Sequence, residues 1–206
     1  MTLDPKKYPR TASYLATLPA GLQSYPTCVC RADIYAATRT DYPEMGSETD
    51  LSSELRYYLK GINAAEWIPE VLGNALLLAI RDLHFLSNDA FLHWVFTLND
   101  RLFDTPLYRA AFHIFSPQLL LMGATKRWSA YHHGTVLTPS PAITVQGRVY
   151  CKAQFTFPPR LYDELLLENL GQAYLAAVTA ANAKEPRLAI EDVSEVSGRF
   201  VVSWLP

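Results

Sequence analysis

Neither sign of charge is in marked excess in this 206-residue chain: 18 Lys and Arg stand against 20 Asp and Glu, for a formal net charge of −2. That balance excludes a strongly basic, nucleic-acid-binding chain, and a hydrophobic share of 50% with 18% charged residues excludes a disordered one. Cysteine is scarce. Cys28, Cys30 and Cys151 cannot all pair within one chain, which argues against a disulfide-stapled secreted scaffold and for a reducing, cytoplasmic setting. Long apolar runs are lacking too, since the purest one, Ala75 to Ile80, is far short of the ~20 residues that a membrane span requires. The start, Met1-Thr2-Leu3-Asp4-Pro5-Lys6-Lys7, has no apolar core behind its charges. The nine glycines are scattered singly, so neither a phosphate-cradling loop nor a Gly-x-Ser-x-Gly elbow occurs. No paired acids are placed by motif for acid/base work, and an enzyme is not expected.

The length suits one compact domain, able to bury roughly 70% of the surface its unfolded chain exposes. Composition changes near residue 50. Five of the 14 prolines and seven of the 12 tyrosines fall within the first 58 residues, while all four tryptophans come at or after Trp67. Proline removes a backbone donor, so residues 1–50 read as an irregular Pro/Tyr-rich arm, with one possible strand over Thr27 to Thr38. Its aromatic content favours an arm packed on the domain over a free tail. Residues 51–206 read as a single α+β domain.

Within that domain Ser52 to Gly61 reads as a short helix. Asn63 and Glu66 have capping-box spacing ahead of Trp67-Ile68-Pro69, with the proline in a first turn. Ile68, Val71, Leu72, Ala75, Leu76, Ala79, Ile80 and Leu83 then recur on one helical face. Ser87-Asn88-Asp89 caps a second such helix bearing Phe91, Trp94, Val95, Leu98 and Leu102. Thr105-Pro106 and Ser116-Pro117 start two more, the last ending near Gly134. There the period changes to two: Val145, Gly147, Val149, Cys151, Ala153, Phe155 and Phe157 alternate with polar neighbours, predicting one long strand with a buried face. Pro158-Pro159 stops it and opens a helix to about Asn182. Strands around Leu188 to Val193 and Arg199 to Trp204 follow, joined at Ser197-Gly198. The expected architecture is an N-terminal helical segment packed on one face of a C-terminal antiparallel sheet of about four strands, in the order strand-strand-helix-strand-strand.

Candidate chemistry is sparse. His132 and His133 are adjacent, so they cannot chelate one metal as an i, i+4 pair can, and they suit dipole complementation at a helix end. His93 is expected in solvent. His113, in a largely apolar helix, is either a hydrogen-bonded core residue or a haem axial ligand. Cys28-Val29-Cys30 has too short a spacing, and no second pair, for zinc. Cys151 lies on the inward pattern of its strand, as a small hydrophobe. The aromatics of the helical segment, among them Trp67, Trp94, Phe103, Phe112, Phe115, Trp128 and Tyr131, form either a filled core or the lining of an apolar cavity between helices and sheet.

Trp67-Ile68-Pro69 ahead of an apolar helix, Tyr108-Arg109 leading to Phe115-Ser116-Pro117-Gln118-Leu119, Trp128 and Tyr131 before Gly134, and Val201-Val202-Ser203-Trp204 together resemble an uncharacterised bacterial paralogous family of about this length, over roughly Leu51 to Trp204. That family is similar to the four-vinyl-reductase-type and TRAPP-subunit-like ligand-binding domains and to the haem nitric-oxide-binding domains. The resemblance implies a small-molecule-sensing or scaffolding module, often a homodimer. Departures are informative. The Tyr-x-Ser-x-Arg motif of the haem-binding relatives is missing, since Tyr150-Cys151-Lys152 leads to Ala153 and Gln154, so His113 matches their axial ligand only by position. Clustered cysteines are missing as well.

The expectation is therefore a non-catalytic cytoplasmic signalling or regulatory module that binds an apolar small molecule without a cofactor or metal. Its lining would be Trp94, Phe112, Phe115, Trp128 and Phe155, with His113 as the polar handle. The alternative is a structural interaction protein acting by dimerisation or partner docking, and the minor alternative is a haem-based sensor.

Overall fold

In the computed structural model, which describes residues 3–48, 50–59, 66–104 and 116–206, the elements run as follows. The front half holds α1 (Pro9–Thr17), β1 (Val29–Arg31), α2 (Ala36–Asp41), α3 (Ser53–Leu59), β2 (Trp67–Pro69), α4 (Glu70–His84) and α5 (Asn88–Phe103). Then come α6 (Pro117–Met122), α7 (Ala124–Tyr131), β3 (His132–His133), β4 (Val136–Pro139), β5 (Ile143–Val145), β6 (Arg148–Thr156), α8 (Glu164–Ala180), β7 (Lys184–Glu191) and β8 (Ser197–Leu205).

The α+β expectation holds, with helices packed on one face of a C-terminal antiparallel sheet. That sheet has the order β4-β6-β8-β7, and β5 pairs with the remaining length of β6. Its inner face carries Val149, Cys151, Ala153 and Phe155 of β6 opposite Trp204, Val202, Phe200 and Gly198 of β8. Helix α8 lies across this face, with Tyr174 stacked on Phe200 at 5.2 Å. Gly171 lets it come close, because a Cβ there would meet Leu188 Cδ2 at 2.6 Å.

Apolar side chains surround α4, so burial covers every residue from Glu70 to Ile80 and not one stripe alone. Helix α1 packs against it, and the Asp82 carboxylate near the end of α4 accepts from the backbone N–H groups of Arg10 and Thr11 at 3.1 and 3.0 Å, capping α1 from 71 residues away. Ser87 caps α5 by accepting from Ala90 N at 3.2 Å, as its position suggests.

Several boundaries differ from the sequence reading, each for a local reason. The front section is not merely irregular: Pro9 sits in the first turn of α1, where its missing N–H costs nothing, and β1 is shorter than Thr27 to Thr38. Trp67-Ile68-Pro69 is extended, since it pairs with β1 in register Arg31↔Trp67 and Val29↔Pro69, and the helix begins one residue later. Asn63 and the Thr105-Pro106 start lie outside the described residues. The helix capped by Ser116 breaks at Gly123 and ends at Tyr131. The long strand is a hairpin: Gln146 and Gly147 both have positive φ, 50° and 76°, which forms a two-residue turn between Val145 and Arg148. Pro158-Pro159 opens a loop, and α8 starts only at Glu164, where Asp163 accepts from Leu166 N at 2.8 Å. The last two strands begin earlier than expected, at Lys184 and Ser197.

Candidate functional site

A second sheet, of order β2-β1-β3, was not foreseen, and it builds the site. Residues opposite one another across antiparallel strands share a face. Cys30 pairs with Ile68 on one side and with His132 on the other, so Ile68, Cys30 and His132 form one buried row. The opposite face carries Trp67 stacked on His133 at 4.1 Å, with Arg31 over the indole. The adjacent histidines are therefore not paired complements to a helix end. Period two along β3 sends His132 inward and His133 outward.

Strand β2 delivers Glu70 as the first residue of α4, where the helix dipole favours a carboxylate. Glu70 is only 1% exposed. Its Oε1 accepts from the Tyr162 hydroxyl and stands 3.1 Å from His132 Nδ1, while Oε2 stands 3.3 Å from the same nitrogen. The His132 ring, 8% exposed, lies flat on Trp128 at 3.7 Å between centroids, and Trp128 Nε1 donates to Thr135 Oγ1 at 2.9 Å. Burial, reinforced by the Glu70 charge, holds the Tyr162 phenol well above its usual range, so it remains a donor. Burial likewise raises the Tyr35 phenol and the Cys30 thiol, and pushes Cys28 up to about 12.

The N-terminal tyrosines hold the loop that carries Tyr162. Tyr14 Oη and Asn74 Nδ2 each donate to the Leu161 carbonyl at 2.9 Å, and Tyr25 Oη donates to that of Pro159 at 2.7 Å. These bonds tie the front section to α4 and to the segment before α8.

Above the Glu70 cluster is a cavity of about 170 Å³. Its floor is Glu70, His132, Tyr162, Tyr35, Thr38 and Asn74. Its walls are largely apolar, from Leu77 on α4, Val95, Leu98 and Leu102 on α5, Trp128 on α7, and Leu170 and Ala173 on α8, with Asn99 and Asn169 among them. Asn169 is 8% exposed, and its side-chain amide has no hydrogen-bond partner among the described residues.

Of the residues expected to line a cavity, Trp128 does so. Phe155 stands behind it, edge-on at 5.0 Å, in the core. Trp94 belongs to another cluster, with Tyr42, Phe85 and Phe91, and donates to Asp41 Oδ2 at 2.9 Å. Phe112, His113 and Phe115 lie outside the described residues. The sequence reading missed Glu70, Tyr162 and Asn169, and gave His132 a surface role. Among the described residues, no group of three or more His, Cys, Asp or Glu side chains could hold a metal ion, and no helix is long and apolar enough to cross a membrane.

Solved structures place this arrangement among known folds. An H-NOX protein mutant from K. algicida, in its Fe(II) unliganded form, superposes with a TM-score of 0.55 over 85% of this chain and 97% of that one, at 9% sequence identity. The chain folds like an H-NOX protein. A T. tengcongensis H-NOX mutant gives 0.48 at 9% identity, covering 96% of this chain and 95% of that one. No protein-family model matches the chain, and no curated protein matches it either.

The cavity, at about 170 Å³, falls below the roughly 300–1,000 Å³ of ordinary organic-ligand pockets. Its floor is closed by a carboxylate and an imidazole already committed to each other.

Proposed function

We propose that the chain is a non-catalytic signalling or regulatory module that binds a small, largely apolar molecule in the cavity between α4, α5 and α8. The cavity itself carries this reading: apolar walls converge on a few placed polar groups, which is how binding sites for small organic molecules are built. Its size supports a compact ligand, because an engineered apolar cavity of about 150 Å³ holds benzene. The thiol and phenols beneath it are protonated, which suits recognition and not nucleophilic attack. A module without chemistry of its own passes its occupancy to a partner protein or to a second copy, here in the cytoplasm and without haem.

Filling the cavity tests this. Ala173→Leu adds three carbons to a wall of the cavity from α8, where leucine is a good helix former. Stability is expected to hold or to rise by about 0.5–2 kcal/mol, and binding of added benzene to be lost. A drop of about 1–3 kcal/mol, the usual cost of overpacking a filled interior, would overturn the reading.

A further inference from the structure

Resting on that reading, we infer that the cavity selects a neutral, single-ring molecule bearing one hydrogen-bond donor, a phenol or a ring N–H compound, which donates to Nε2 of His132 and lies against the Asn169 amide. Three observations lead there. Size comes first, since about 170 Å³ leaves room for one ring and a substituent. Charge comes second. No Lys or Arg is among the described residues that line the cavity, so an anionic ligand finds no counter-charge, and the one carboxylate, Glu70, is already met by Tyr162 and His132. Polarity comes third. In the tautomer that donates its Nδ1 hydrogen to Glu70, His132 keeps the lone pair on Nε2, which has no partner among the described residues. Asn169 adds an unpaired amide, nine-tenths buried, at the same cavity. Leaving such groups unmatched is costly, so a ligand that meets them is favoured over one of the same shape that does not.

The experiment is calorimetric titration of the whole protein with phenol, anisole and benzene, repeated with Asn169→Leu and His132→Phe. Phenol is expected to bind about tenfold more tightly than anisole or benzene, the ratio that one well-made hydrogen bond confers. Asn169→Leu is expected to shrink that preference to about threefold or less. His132→Phe abolishes it where the variant folds, as judged by its circular dichroism, and Asn169→Leu decides the matter where it does not. Equal affinities for phenol, anisole and benzene, or a preference left undiminished by every variant that folds, would overturn the donor inference while the cavity reading stands. Failure of all three compounds to bind would remove both.

Discussion

Replacing Glu70 by alanine is expected to cost about 3–5 kcal/mol, a large share of the 5–15 kcal/mol that stabilises an ordinary domain. The size follows from what is left behind. Glu70 is 1% exposed, and its carboxylate is the acceptor for the Tyr162 hydroxyl and the partner of His132 Nδ1. With the carboxylate gone, both groups stay buried and unpaired, each bearing the desolvation penalty of a lost hydrogen bond. Glu70→Gln is expected to recover part of this loss: it keeps one carbonyl acceptor for Tyr162 but sets an N–H₂ group where the second acceptor stood. Urea denaturation followed by circular dichroism gives both numbers. A loss below about 1 kcal/mol for Glu70→Ala would mean that water reaches the cluster and that the floor of the cavity is not as described.

Gly73→Ala sets two effects of opposite sign against each other. In an exposed helix interior this change stabilises by about 1 kcal/mol, yet here it is expected to destabilise by about 2 kcal/mol. A Cβ at position 73 would stand 2.1 Å from Tyr35 Oη and 2.4 Å from Tyr35 Cζ, and Tyr35 is packed against α4 with nowhere to retreat. The ring must leave its place beside Cys30 and the cavity floor. In a Tyr35→Ala background the clash is gone, and Gly73→Ala is expected to become stabilising by about 1 kcal/mol. Such a sign change between backgrounds is the signature of direct contact in a double-mutant cycle. Stabilisation by Gly73→Ala in the unaltered protein would show that Tyr35 does not lie across α4.

What could be read from the sequence was whatever is written locally. The apolar run of α4, the Ser87 and Ser116 caps, and the alternation of Val149, Cys151, Ala153 and Phe155 each depend on a few neighbouring residues, and each is present. The hairpin at Gln146-Gly147 went unread because alternation continues across a two-residue turn without a break in parity. The site was nearly illegible for a different reason. Glu70 reads as an ordinary first-turn acid, and only the pairing of β1 with β2 and β3, which joins residues about 40 and 100 positions apart, brings Cys28, Cys30 and His132 around it. Tyr35, Tyr162 and Asn169 come from a 3₁₀ turn, a loop and a helix, and share no motif. The one usable signal was the i, i+4 spacing of Trp128 and His132, which stacks the two rings. Taking His132 and His133 together as complements to a helix dipole concealed it.

The most direct test of the account is a native mass spectrum of the freshly purified protein, with and without excess phenol. The account predicts a single added mass per chain, no larger than that of a one-ring compound, which appears in the native spectrum and vanishes on denaturation. One haem per chain, or native and denatured masses that agree even with phenol in excess, would contradict it.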